Sequence, residues 1–216
     1  MKPVITIDLW KTLIFSHPDF KRNRAARLFS IRDYAASTDE INNLMSDFSR
    51  LERQFDQYQI DWHGWQPEAS SIEDQVLNLL HQYNINITYR KFLALQFDAL
   101  TAYTPTYHPH LPGWIRQLSA DYDLVLISNT MFIPGLHLYL TLKPLLGHFK
   151  LLRFSDEVGY GKPGIQIAKD ITGIKFHIGD MIETDGKFAA NIGAEFLHVT
   201  PENTVIEMIE SFLNNK

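Results

Sequence analysis

Val4-Ile5-Thr6-Ile7-Asp8-Leu9-Trp10-Lys11-Thr12-Leu13 is the stretch whose reading decides the fold. An apolar, β-branched run delivers a carboxylate and then turns at once into a loop. Val4, Ile5 and Ile7 form too short a run to cross a membrane and suit a buried central strand of a parallel sheet. Asp8 stands where such a strand would end, the position at which open α/β sheets gather their ligands. A lone aspartate there can equally cap a helix or open a turn, so its meaning depends on the rest of the chain.

In the second half, strand-like and helix-like stretches alternate. Trp114 to Ala120 reads as a short helix and Tyr122 to Ile127 as a buried strand, followed by Ser128-Asn129-Thr130. Phe149 to Phe154 is a further strand, and Gly161-Lys162-Pro163 opens a helix. Ile174 to Ile178 is a strand that ends in Gly179-Asp180, and 185–192 is a helix with Gly193 suited to its C-terminal cap. Phe196 to Val199 is the last strand. Thr200-Pro201 starts the last helix, with Val205, Met208, Ile209 and Phe212 on one face. This alternation predicts an α/β, Rossmann-like parallel sheet with helices on both faces. The opening strand belongs to that sheet.

Between the two lies a block of a different kind. Phe20 to Phe29 is helical in pattern. Ser37-Thr38-Asp39-Glu40 looks like a helix start, with Ile41, Leu44, Met45 and Phe48 following at helical spacing. Ile72, Val76, Leu79, Leu80 and Tyr83 make a third stripe, and Tyr89, Phe92, Leu93, Phe97, Leu100 and Tyr103 a fourth. The expected organisation is therefore a core made of residues 1–15 and 105–216, interrupted by an all-helical cap over 16–104.

The composition is that of an ordinary soluble globular chain: 216 residues, 45% hydrophobic and 21% charged. A net charge of −5 gives no electrostatic footprint for nucleic acid. With no cysteine, disulfides, thiolate metal sites and cysteine nucleophiles are excluded. No signal peptide and no membrane span is read, and a cytoplasmic location is expected. Oligomeric state is not readable.

Right-handed crossovers bring the carboxyl ends of parallel strands to one edge. Asp8, Ser128, Lys162, Asp180 and Asp185 can all meet there. One carboxylate could act as nucleophile and others could bind Mg²⁺, a hard cation that takes few protein carboxylates. A lysine would offset the charge of an anionic substrate, and a serine hydroxyl with the following N–H groups would hold its oxygens.

In this order the residues resemble the haloacid dehalogenase superfamily of hydrolases. Its first motif, a strand and then Asp-x-Asp-x-Thr, is matched by Ile7-Asp8-Leu9-Trp10-Lys11-Thr12. The second is matched by Leu126-Ile127-Ser128-Asn129-Thr130, the third by Gly161-Lys162-Pro163, and the fourth by Gly179-Asp180 with Asp185. The resemblance implies an aspartyl-phosphate at Asp8. It implies Mg²⁺ held by Asp8, the main-chain carbonyl of Trp10, Asp180 and Asp185. Ser128 and Lys162 would orient the phosphoryl group, and Thr12 would support the nucleophile loop. Lys11, Thr12 and Asn129 are candidates for substrate contact. A small phosphorylated molecule is the implied substrate, and the cap the implied selector.

The departure is Trp10. Phosphatases of the family carry there a second aspartate that protonates the leaving group, help worth typically ~10²–10⁴-fold. An indole cannot titrate. Lys11, where the family often has glycine, is a second departure. Three readings follow: a phosphohydrolase of good leaving groups or one with an acid from Glu68, Glu73, His17 or His63; a dehalogenase-like enzyme, whose branch has an aromatic at this position; or a non-catalytic phosphate-ligand binder or interaction protein. Asp180 with Asp185 favours the first.

Other features read as structural. Lys21, Arg22, Arg24 and Arg27 suit a solvated helix face. Tyr107-His108-Pro109-His110 lacks a third metal ligand. Trp62 and Trp65 suit aromatics that pin the cap's own loop. His177 and His198 suit strand histidines at the core edge, each with a hydrogen-bond partner.

Overall fold

The computed structural model describes residues 2–202 and 204–214. Five parallel strands form one sheet in the order β3-β2-β1-β4-β5: β1 Val4–Ile7, β2 Asp123–Ser128, β3 Leu151–Phe154, β4 Ile174–Gly179 and β5 Glu195–His198. The run quoted above is the central strand, and Val4, Ile5, Thr6 and Ile7 are all buried. A strand covered on both faces needs no polar–apolar alternation, which is why β1 and β2 read as continuous apolar runs.

Register fixes which side chains share a face. Thr6 pairs with Val125 on one side and His177 on the other, and Ile7 with Leu126 and Ile178. Val4, Val125 and Ile127 pack on one face with Ile167, Ala168 and Phe188. Phe188 belongs to α8, Lys187–Ile192. On the other face Phe176 meets Phe212 of α9, Val205–Asn214, with ring centroids 5.1 Å apart. Helix α5, Leu111–Leu118, packs against α9 and against α6, Gly135–Leu146. Burying a side chain such as Ile5, Ile7 or Leu126 contributes about 1.5–3 kcal/mol each, so the sheet carries much of the stability.

Two compact units result. One comprises Met1–Phe15, Gln59–Gln66 and Thr106–Lys216; the other comprises Ser16–Tyr58 and Pro67–Pro105. The segment Gln59–Gln66, read from sequence as part of the cap, thus groups with the sheet. Where the chain leaves and re-enters the first unit, Phe15 and Thr106 exchange two main-chain hydrogen bonds of 2.8 Å.

The second unit is helical: α1 Phe20–Phe29, most of α2 Thr38–Asp61, α3 Ala69–Gln82 and α4 Tyr89–Ala102. Ser37 and Glu40 form the expected helix start, each side chain accepting from the other's N–H. Phe48 and Phe92 stack at 5.8 Å in the interior. Of the basic run of α1, Arg22 is exposed and Lys21 and Arg27 are half-buried, but Arg24 does not lie on a solvated face. Arg24 is buried, its guanidinium lying 4.5 Å over Phe48 and bonded to Glu52 at 3.1 Å. Helical phase carried it inward, and a flat cation over a ring with a carboxylate partner is a stable way to bury one.

Three local expectations change. After Lys162-Pro163 the chain makes only a short 3₁₀ turn, Ile165–Ala168. Helix α6 and the four-residue α7, Ser155–Val158, were not read from sequence. The last helix begins at Val205, not at Thr200. Thr204 caps it by exchanging hydrogen bonds with Glu207, which satisfies the first free N–H groups. No helix among the described residues is long and apolar enough to cross a membrane.

Candidate active site

The main chain of Asp8 is anchored beyond β1 by donating to Ile178 O at 2.9 Å. Strand alternation puts Asp8 on the same face as Thr6, and therefore on the face of His177. Ser128 closes the neighbouring strand. Asp180 follows β4 directly, and Asp185 sits in a wide turn, Ile182–Gly186, where its N–H reaches Met181 O at 2.7 Å. That turn folds its carboxyl back over Gly179, where a Cβ would lie 2.3 Å from Asp185 Cγ. Only glycine fits there.

The ends of β1 and β4 and the loop after Ser155–Val158 thus deliver one cluster. Lys162 Nζ lies 2.5 Å from Asp8 Oδ1 and 2.5 Å from Asp185 Oδ1. All three side chains are buried. Asp185 also accepts from Met181 N at 3.1 Å and contacts His177 Nε2 at 2.9 Å. His177 Nδ1 is 2.8 Å from Thr6 Oγ1. An ionised Asp185 takes a donor at Nε2, and Nδ1 faces a Thr6 hydroxyl that also lies 3.2 Å from Phe176 O.

Burial lowers the His177 pKa and keeps the ring neutral. Burial also opposes the Lys162 charge, but Asp185 and Asp8 outweigh it and hold the ammonium above its ordinary value. Asp185 is buried as well, yet Lys162 and His177 together hold it well below the usual carboxylate range. Asp8 has fewer partners. Burial pushes it up to about 7, against the pull of Lys162 and with the charge of Asp185 adding to the rise. Asp180, half-buried, is raised by burial and then by the charge of Asp185.

One lysine therefore faces three carboxyl groups. One oxygen from each of Asp8, Asp180 and Asp185 lies within 4.8 Å of the others. Among the described residues this is the one such group of metal-ligating side chains. An all-oxygen set with excess negative charge fits a hard divalent cation and not zinc. The hydroxyls of Ser128 and Thr12 are buried without a hydrogen-bond partner among the described residues. Buried hydroxyls normally have one, so each is open to a ligand oxygen or a water.

The remaining candidates fall as follows. Trp10 is half-buried and Lys11 exposed, on a tight loop closed by Lys11 N to Ile14 O and Leu13 N to Leu9 O. Lys11 has φ 59, the left-handed region that costs a residue with a Cβ about 1–2 kcal/mol. The Asn129 side chain is spent on the main chain of Lys162 and on Gln59. His17, Glu68 and Glu73 belong to the helical unit, and His63 is exposed in the other. Trp62 and Trp65 are both exposed, and Trp65 tilts onto Tyr160 at 4.8 Å without burying itself in the cap. His108 stacks on Trp114, and His110 lies tilted against it. His198 donates to Asp180 O at 3.0 Å, steadying the main chain beside the cluster.

His177 and Thr6 were missed as parts of the site. The signal was available, because period-2 alternation puts Thr6 beneath Asp8 and register puts His177 beside Thr6.

No family model matches the chain, and no curated protein matches it by sequence. Solved structures match it over its whole length. The HAD-hydrolase YfnB of Bacillus subtilis, solved bound to magnesium, has TM-score 0.66 and 17% identity, covering 99% of each chain. A HAD phosphatase from Thermococcus onnurineus has TM-score 0.60 and 17% identity, covering 100% of this chain and 99% of its own. A 2-haloacid dehalogenase from Pseudomonas syringae has TM-score 0.62 and 16% identity, covering 100% of both. The chain has the haloacid dehalogenase-like hydrolase fold, with a helical insertion between β1 and β2.

Proposed function

We propose that this protein is a magnesium-dependent phosphohydrolase that acts in the cytoplasm on small phosphorylated molecules through Asp8. The observation that carries the reading is the convergence of Asp8, Asp180 and Asp185 around Lys162. These three carboxylates, with the Trp10 carbonyl, would hold Mg²⁺, which supplies charge neutralisation for the transferring phosphoryl group.

An oxygen of Asp8 attacks phosphorus and the leaving group departs with the bonding pair, giving an aspartyl-phosphate that water then hydrolyses. The Lys162 ammonium, already against Asp8, offsets the charge of the phosphoryl oxygens. Ser128 donates its open hydroxyl to one of them. Thr12 supports the loop from within, and the Lys11 charge lies near enough to Asp180 to offset part of the rise that burial and Asp185 give its carboxyl. Asn129 acts through its hold on Lys162. His177 and Thr6 keep Asp185 ionised and aimed. No group at position 10 can protonate the leaving atom, so substrates whose leaving groups depart unprotonated are favoured, acyl phosphates first.

Trp10 also favours a second reading, a dehalogenase, because halide needs no acid and the dehalogenase branch has an aromatic there. Asp180 and Asp185 argue against it: a C–halogen displacement has no use for a divalent-cation site.

The test is Mg²⁺-dependent phosphate release from acetyl phosphate and from a simple alkyl phosphate, with Asp8→Asn as blank. Turnover of acetyl phosphate alone, lost in the blank, is expected. Turnover of both would place an acid elsewhere in the chain. Turnover of neither, together with release of halide from a 2-haloacid, would establish the dehalogenase. Silence in all three assays would leave a non-catalytic phosphate binder.

A further inference from the structure

The segment Gln59–Gln66 comes from the middle of the insertion, yet it is bonded into the loop that carries Lys162. Gly161 N donates to Gly64 O at 2.6 Å, Gln66 N donates to Gly159 O at 3.4 Å, and Trp65 bridges to Tyr160. The approach is too close for side chains. A Cβ on Gly64 would lie 2.0 Å from Gly161 O, and one on Gly161 would lie 2.7 Å from Asn129 Oδ1. Gly64 also has φ +90, so any other residue there is strained twice over.

The next residue is Lys162, and one side chain holds its main chain at both ends. Lys162 N donates to Asn129 Oδ1 at 2.8 Å, and Asn129 Nδ2 donates to Lys162 O at 2.9 Å. Asn129 Nδ2 has a second hydrogen, and it goes to Gln59 Oε1 at 3.0 Å. Gln59 is completely buried, and its own Nε2 has no partner among the described residues. The Gln59 side chain therefore contributes an acceptor, while its main-chain O accepts from Gly64 N at 2.7 Å.

We propose that Gln59 is a positioning residue: it fixes the Asn129 amide, which fixes the Lys162 main chain and so places the ammonium between Asp8 and Asp185. The terminal torsion of asparagine is soft and its two ends are nearly the same size. Lys162 N and O already select one face of that amide, and an acceptor beyond Nδ2 tightens the hold, because a turned amide would also set its oxygen against Gln59 Oε1. Lys162 reaches both carboxylates, at 2.5 Å each, across four side-chain torsions, so an anchored main chain narrows the positions open to the ammonium. The catalytic consequence rests on the phosphohydrolase reading; the clamp itself does not.

The test compares Gln59→Leu, which removes the acceptor at similar volume, with Gln59→Glu, which keeps it, both in the full chain. Three readouts are needed: amide hydrogen exchange of the 159–164 segment, thermal stability, and kcat and KM for Mg²⁺-dependent acetyl phosphate hydrolysis. For Gln59→Leu, kcat is expected to fall on the order of 10-fold with KM little changed. Exchange should quicken in 159–164 and not elsewhere, and Gln59→Glu should restore both. Unchanged exchange and kcat in Gln59→Leu would overturn the proposal. So would quicker exchange throughout the chain with a lower Tm that Gln59→Glu does not recover, the mark of a merely structural glutamine. If the wild type releases no phosphate, the functional reading fails on its own account. The clamp is then decided by exchange alone, with local acceleration reversed by Gln59→Glu required to keep it.

Discussion

At position 10 an indole stands on the loop between the buried Asp8 and the buried Thr12, half-covered and unable to titrate. Asp8 itself belongs to the cluster with Lys162, Asp180 and Asp185. If the missing acid is the limit on substrate range, supplying it should widen that range. Trp10→Asp is expected to raise alkyl phosphate turnover by at least ~10²-fold while leaving acetyl phosphate within a few-fold, since acetate departs without a proton. Phosphate release from the two substrates decides it. Equal gains on both, or no gain on either, would mean that position 10 shapes the pocket and does not set the chemistry. Single residues also show how far the sequence could be read. The meeting of Asp8, Lys162, Asp180 and Asp185 was legible because parallel strands bring the segments after them to one edge in a fixed order. The clamp on Lys162 was not, because Gln59 and Asn129 are 70 residues apart and meet through one amide hydrogen bond. Nothing in local periodicity reports a contact of that kind.

Among the elements, α2 shows how a start signal becomes stability. Ser37 and Glu40 cap the helix reciprocally, and the Glu40 carboxylate also meets Arg32 at 2.8 Å. Arg32 in turn donates to Tyr83 O, just beyond α3. The hydrogen bond from Arg32, aided by the Ser37 N–H, lowers the Glu40 pKa from 4.5 to about 2. A depressed carboxylate stabilises the fold above its unfolded pKa and loses that contribution as pH falls through the folded one. Glu40→Gln keeps an acceptor for the cap and removes the charge. Its Tm should therefore lie below that of the wild type at pH 6, and the gap should close between pH 4.5 and about 2. A gap independent of pH would mean that the charge contributes nothing. Helix α2 was legible because its cap and stripe agree. Helix α6 was not, because Pro144 stands inside it and Leu142 departs from helical geometry. A proline within an apolar run argues for a boundary, and the chain does kink two residues before it, so Gly135–Leu146 is two short helical pieces in series. Arg24 was misplaced for a related reason: helical phase identifies an inward position but does not say that a cation can be accommodated there.

For the whole molecule, the two compact units differ in what can act on them. The three carboxylates lie in the unit that contains the sheet, while residues 16–58 and 67–105 contribute none of them. A cation that binds only the folded site stabilises by mass action, about 2.7 kcal/mol at a concentration 100 times its Kd. For a unit of this size that is a rise of roughly 5 to 10 °C. Calorimetry of the wild type should then show a Mg²⁺-dependent shift in the transition of the α/β unit. If the helical unit melts as a separate event, its transition should stay in place. If the two melt together, the single transition should move as a whole, by less, because the same free energy is spread over a larger enthalpy. Asp8→Asn should remove most of the shift in either case, whereas Glu40→Gln, a change in the helical unit, should leave it intact. A shift that survives Asp8→Asn would place the cation elsewhere, and the cluster around Lys162 would then be a buried ion-pair network with no metal role.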